Sequence, residues 1–129
     1  GVVIRDIQNE NNSAEKELED YFNIRVEEEI EELLKAGESA RIQAVAARLN
    51  MSSRTLQRRL EGERTIFMQL VDKHRKQLAH DALAHTERSI TEIAYTIGFS
   101  DPSNFSRTCA RWFGCSPAAY RRRIRQLPT

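Results

Sequence analysis

The sequence predicts an all-α fold in which two helix–turn–helix units are joined by one long helix. Three observations carry this. Helix-start signals recur, each a Ser or Asp cap followed by a Pro or by a Glu three residues on. An apolar stripe of helical spacing runs through residues 66–85. A helix, a turn residue and a second helix at Ile42–Leu60 are echoed at Ile90–Tyr120.

Taken in order, residues 1–24 carry the weakest pattern. Val2-Val3-Ile4 is a short β-like run and Asn9–Ser13 is polar and turn-like. Ser13–Phe22 can form a short helix capped by Ser13, with Leu18, Tyr21 and Phe22 on one side. Residues 1–24 therefore read as a linker or the remnant of a preceding domain, with disorder expected over the first dozen. The opening Gly1 in place of Met leads to the expectation of a piece cut from a longer chain.

The first unit spans 25–65. Val26–Ala36 is a helix with Val26, Ile30, Leu33 and Leu34 on one face and Gly37 at its C-terminal cap. Its acid run, Glu27, Glu28, Glu29, Glu31 and Glu32, fans around the helix, so a solvated face is expected rather than a metal site. Ile42–Leu49 is a short helix with Ile42, Val45, Ala46 and Leu49 inward. Asn50, which tolerates the left-handed conformation, makes the turn. Ser52 caps the helix Ser53–Glu61, which turns Leu56 and Leu60 inward and Arg54, Thr55 and Arg58 outward, until Gly62 ends it.

The connecting helix occupies 66–86. Phe67, Leu70, Val71, His74, Leu78 and Ala82 trace its stripe, and His74 is expected as a hydrogen-bonded residue at the core edge. The second unit spans 87–129. Ser89 and Glu92 form a capping box for a helix that runs to Ile97 with Ile90, Ile93 and Ala94 inward; Gly98 makes the turn. Asp101-Pro102 starts the next helix, whose buried stripe is Phe105, Cys109, Trp112 and Phe113. Ser103, Asn104, Arg107 and Arg111 face away. After Gly114, Ser116-Pro117 starts a last helix carrying Tyr120 and the basic run Arg121, Arg122, Arg123 and Arg125.

The two units keep the same chemistry at matched positions. Val45 pairs with Ile93, Ala46 with Ala94, Leu49 with Ile97, Asn50 with Gly98 and Ser52 with Ser100. One extra residue enters the second turn, after which Leu56 pairs with Phe105 and Arg58 with Arg107. A small alanine where two helices cross, a turn residue four positions later and an arginine on each second helix are all kept. That is the grammar of a unit that lays its second helix in a DNA major groove. Two such helices reading successive grooves sit ~34 Å apart. A helix of about 20 residues is ~30 Å long, the right strut to set that spacing.

Charge supports a polyanionic partner. Residues 1–38 hold 12 Asp/Glu and 4 Lys/Arg, a net of −8. Residues 39–129 hold 7 and 16, a net of +9. No apolar run approaches the ~20 residues of a membrane span, and the start lacks a signal-peptide pattern. Cys109 and Cys115 form no CxxC and are expected as reduced thiols. No catalytic site, metal or cofactor is called for. His74, His80 and His85 lack partners at zinc-like spacing, and there is no phosphate loop or nucleophile–base pair.

Residues 26–125 resemble the DNA-binding domain of the AraC/XylS family of bacterial transcription regulators. The stretch IAYTIGFSDPSNFSRTCARWFGCSPAAYRR carries most of the likeness, through Gly98-Phe99, Phe105, Arg107, Phe113-Gly114, Ser116, Pro117, Tyr120 and Arg121. Ala46, Ser52, Leu56 and Arg58 match the looser first half. The resemblance implies a seven-helix, tandem helix-turn-helix (homeodomain-like) fold and sequence-specific binding of promoter or operator DNA, with activation as the expected effect. It implies base contacts from Arg54, Thr55, Gln57 and Arg58 in the first unit and from Ser103, Asn104 and Arg107 in the second. Arginines there suit guanine, and Gln57 or Asn104 suits adenine. Ser52, Arg59, Arg111, Arg121 and Arg122 suit phosphates. Pro102 stands where some members carry a polar base contact, so it is expected to start a helix only. RNA polymerase is an expected second partner, and an effector or dimerisation domain is expected to precede residue 25. The expected setting is the bacterial cytoplasm, at the nucleoid. An all-helical protein–protein interaction module using the same basic faces stays open as the second reading.

Overall fold

The computed structural model describes residues 2–127, with side chains from Ser13 onward. Seven helices follow one another, with no strand among the described residues: α1 Val2–Lys35, α2 Ile42–Arg48, α3 Ser53–Gly62, α4 Phe67–His85, α5 Ile90–Thr96, α6 Pro102–Phe113 and α7 Pro117–Arg125. The all-α, two-unit architecture is as the sequence predicts.

The helix starts form as their caps dictate. Ser52 Oγ accepts the Thr55 N–H, Ser89 Oγ the Glu92 N–H and Ser116 Oγ the Ala119 N–H, each at 3.1 Å. Asp101 accepts the Ser103 N–H at 2.9 Å, ahead of Pro102 at the first helical position. Both turns are left-handed where expected: Asn50 has φ 58° and Gly98 φ 101°. α3 ends at Gly62, but Gly62 does not make the left-handed turn; the left-handed residue is Arg64, at φ 57°.

The N-terminal reading is corrected. The β-like run, the Asn9–Ser13 turn, the first-dozen disorder and the separate helix capped by Ser13 are replaced by one helix, α1, from Val2 to Lys35. Its span contains neither Pro nor Gly. Extending a formed helix adds a hydrogen bond per residue fixed, whereas β propensity and a few asparagines are weak counterweights. The helix expected at Val26 is its C-terminal end.

Two cores form, one per unit. Phe22, Val26, Ile30, Leu33 and Leu34 of α1 pack on Val45, Ala46, Leu56 and Leu60, closed by Phe67 and Val71 of α4. Ala79 and Leu83 of α4 pack on Ile93, Ala94, Ile97, Phe99, Phe105, Cys109 and Tyr120. Leu78 touches both. α4 therefore buries more than the single predicted stripe, because its two halves face different cores. Ala79 and Leu83, both 0% exposed, lie off that stripe.

The acid run is not simply solvated. Glu29 is only 6% exposed and accepts from Arg48 Nε at 2.5 Å and Arg25 at 3.1 Å. Glu27 takes Lys73 at 2.7 Å and the His74 ring at 3.0 Å, which places His74 at the core edge as expected. Burial pushes the Glu27 carboxyl up, but the Lys73 and His74 hydrogen bonds outweigh it and leave it below the usual range. These contacts fasten α1 to α2 and α4.

Candidate nucleic-acid interface

The residues that the sequence singles out divide by what surrounds them. On α3, Leu56 and Leu60 are sealed in the first core, so Arg54, Thr55, Gln57 and Arg58 are turned to solvent. Arg54 and Arg58, one turn apart, have no hydrogen bond or ion pair among the described residues. Ser52 donates to Thr55 Oγ1 at 2.9 Å, and Gln57 donates to Glu61 at 3.1 Å. On α6, Phe105 and Cys109 are fully buried, which leaves Ser103, Asn104 and Arg107 exposed on one face. Arg107 donates to the Asn104 side-chain oxygen, so these two present one joint surface. Thr108 Oγ1 donates to the Asn104 carbonyl at 2.8 Å.

The arginines expected at phosphates differ from one another. Arg111 forks onto Asp72 of α4 at 2.7 and 3.2 Å, and Trp112 Nε1 donates to the same carboxylate at 3.1 Å. The Arg111 guanidinium holds the Asp72 carboxyl below its ordinary value, against an opposing push from burial. Arg121 is half-buried and donates to the carbonyls of Leu83, Ala82 and Thr86 at 3.1, 3.3 and 3.2 Å. The first two belong to the last turn of α4 and the third to its C-cap, a carbonyl-rich end that a cation suits. Arg59 lies over the Phe22 ring at 3.7 Å. Arg122 is exposed, with no such partner among the described residues. Pro102 starts α6 and donates nothing, as expected.

Between α4 and the second unit lies a recess of about 440 Å³, lined by Arg75, Ser100, Asn104, Arg107, Thr108 and Arg111, along with the Gly98–Phe99 turn. A second, of about 530 Å³, is bordered by Gln57 on one side, Gly98 on the other and Arg75 between. Arg75 carries no sequence signal, since it sits among charged residues on a helix whose visible pattern is apolar. Among the described residues, no group of three or more His, Cys, Asp or Glu gathers where it could hold a metal ion. No helix there is long and apolar enough to cross a membrane.

Comparison with known proteins gives a consistent result. A family model described as a helix-turn-helix domain matches residues 45–123. The regulator VirS of Mycobacterium tuberculosis is 38% identical over 89 residues, covering 69% of this chain and 26% of its own length. The chain thus spans about a quarter of the length of such curated relatives. Among solved structures, a DNA-binding transcriptional dual regulator from Escherichia coli K-12 superposes with a TM-score of 0.72 at 26% identity, covering 80% of this chain and 91% of that one. The DNA-binding domain of AdpA, solved in complex with a target DNA, superposes at 0.63 with 29% identity, covering 78% and 92%.

Proposed function

Because this chain belongs to the AraC/XylS-type helix-turn-helix family of transcription regulators, we propose that it reads a bipartite double-stranded DNA site. α3 enters one major groove and α6 the next. The observation that carries the reading is the pair of solvent-facing arginines, Arg58 and Arg107, at repeat-related positions after left-handed turns. Each stands on a helix whose opposite face is locked into its own core. Arg54 and Arg58 are unpaired among the described residues and can fork onto guanine, while Arg107, Asn104 and Gln57 exchange their partners on the protein surface, Asn104 and Glu61, for guanine or adenine edges. Thr55 and Ser103 complete the base-facing set. Arg122, Arg59 and the Ser52 helix start serve phosphates. Arg111 and Arg121 reach phosphates only from positions that their intramolecular partners already fix.

In the cell, such binding regulates transcription at promoters in the bacterial cytoplasm, with activation through RNA polymerase as the proposed outcome. A reporter placed downstream of the selected site gives the sign.

Selecting bound duplexes from a random pool tests the reading. We expect one motif of two blocks a helical turn apart. Arg107→Ala and Arg58→Ala should each cost ~1–3 kcal/mol on that motif and relax discrimination at one base pair. Arg122→Ala should weaken all DNA about equally. Unchanged cognate affinity in folded Arg58→Ala and Arg107→Ala chains would remove the base-contact assignment. Enrichment of no duplex at all favours the protein-interaction reading.

A further inference from the structure

Arg75 is unlike the arginines that brace this fold. Arg48, Arg111, Arg121 and Arg125 all have carboxylate or carbonyl partners. Arg75 is half-buried, and its guanidinium carbon sits 4.0 Å above the centre of the Phe99 ring. Among the described residues it makes no hydrogen bond and no ion pair, and none of its nitrogens is sealed from solvent. A guanidinium carries five donors and stays charged. Burial pulls its pKa below the ordinary arginine value, with the Asp72 charge opposing. Its nitrogens reach water, so the fold leaves these donors open to an acceptor that enters the recess.

The surroundings say what the ligand is. No carboxylate lines the recess that Arg75 shares with Ser100, Asn104 and Arg107. The nearby Asp72 is committed to Arg111 and Trp112. The site is therefore cationic and hydrogen-bond donating, which suits an anion. Arg75 also borders the recess that holds Gln57, so it stands between the two helices proposed to read DNA. The Phe99 ring beneath it confines the guanidinium to the recess, and Phe99 is itself wedged against Phe105 at 5.2 Å and Trp112 at 6.3 Å. A planar guanidinium fork matches two oxygens of one phosphate.

We infer that the α4–α6 recess is a phosphodiester site in which Arg75 holds a backbone phosphate of the DNA segment lying between the two blocks read by α3 and α6. This rests on the DNA reading above and adds an anchor on the connecting helix. The contact is sequence-independent, and it sets the spacing between the two blocks by clamping the strand midway.

The test is a cycle between Arg75 and the DNA backbone, using the full chain and the selected duplex. Single neutral methylphosphonate linkages are placed in turn through the segment between the blocks. Binding of wild type, Arg75→Met and Arg75→Gln is measured across a salt series, alongside thermal melting. Arg75→Met should weaken selected and random duplexes alike, by about tenfold, as for loss of a charge-assisted hydrogen bond. The slope of log affinity against log salt should fall by about 0.9. One linkage position should cost wild type about that same factor and cost Arg75→Met nothing. The melting temperature of Arg75→Met should be unchanged or higher, since an unpaired charge has been removed. The inference is overturned if every linkage weakens wild type and both variants equally, or if both variants lose affinity only in proportion to lost folding. A wild-type chain that enriches no duplex overturns the DNA reading itself, and the phosphate site with it. A chain that binds its duplex but shows no coupling overturns the phosphate site alone.

Discussion

Cys109 is completely buried against Phe105 and its neighbours in the second core, and burial pushes its thiol up to about 12. Only the thiolate is nucleophilic, so Cys109 should be inert at neutral pH. Cys115, only partly buried, is the reactive one. Mass spectrometry after brief alkylation should find Cys115 modified in the native chain and Cys109 only in denaturant. Rapid native labelling of Cys109 would show the second core to be open. Cys109 inside and Arg107 outside follow from helical spacing alone, so both are legible in the sequence. The fates of the other arginines are not. Spacing says which way a side chain leaves its helix, not which acceptor a distant element offers there. Arg111 meets Asp72 from 39 residues away and Arg121 meets the α4 carbonyls from a similar distance. Arg75 is hidden for the converse reason: its meaning is the acceptor that it lacks.

The contact between α6 and α4 shows how one element is pinned to another. Asp72 receives Arg111 and Trp112 together, and its folded-state carboxyl lies below the ordinary 3.8. A lowered carboxyl binds fewer protons folded than unfolded, so its stabilisation is fully present above that ordinary value. It is lost as pH falls through the folded value. Urea midpoints should therefore separate wild type from Asp72→Asn at pH 7, with the variant less stable, and converge once the pH has fallen through the lowered folded-state value. A gap that persists at low pH would mean that packing, not charge, holds the contact. Salt should also narrow it at pH 7, because Arg111 is 61% exposed. Element starts are the most legible part of this chain, since a Ser or Asp cap acts within four residues. Element continuity is less so. Nothing local distinguishes a short helix at Ser13 from the middle of α1, because the outcome depends on propagation from the packed end at Val26–Leu34. Gly62 likewise signals a stop, yet the turn is made two residues later by Arg64.

At the scale of the whole molecule, α4 is the one element shared by both cores among the described residues. Its 19 residues span ~29 Å at 1.5 Å each and fix each reader's rotation about a common axis. Two alanines inserted after Lys76 would turn the second unit by ~200° relative to the first. Binding to the bipartite site should then fall to the level of random DNA, while circular dichroism keeps the helical content. Full retention of selectivity would show that the units read independently of the strut. The duplicated plan was visible in the sequence because each unit repeats its own core pattern. The contribution of α1 was visible from Val26 on, through its apolar face, but its continuity back to Val2 was not. That contribution has a consequence for what counts as the smallest autonomous piece. The recognisable helix-turn-helix region begins at Val45. Yet Phe22, Val26, Ile30, Leu33 and Leu34 supply much of the wall that Val45, Leu56 and Leu60 lean on, and Glu29 anchors Arg48. The boundary of recognition and the boundary of self-sufficiency are therefore different places. A fragment trimmed to the recognisable region would keep every proposed base-facing residue and lose the support that makes the first of its two readers rigid.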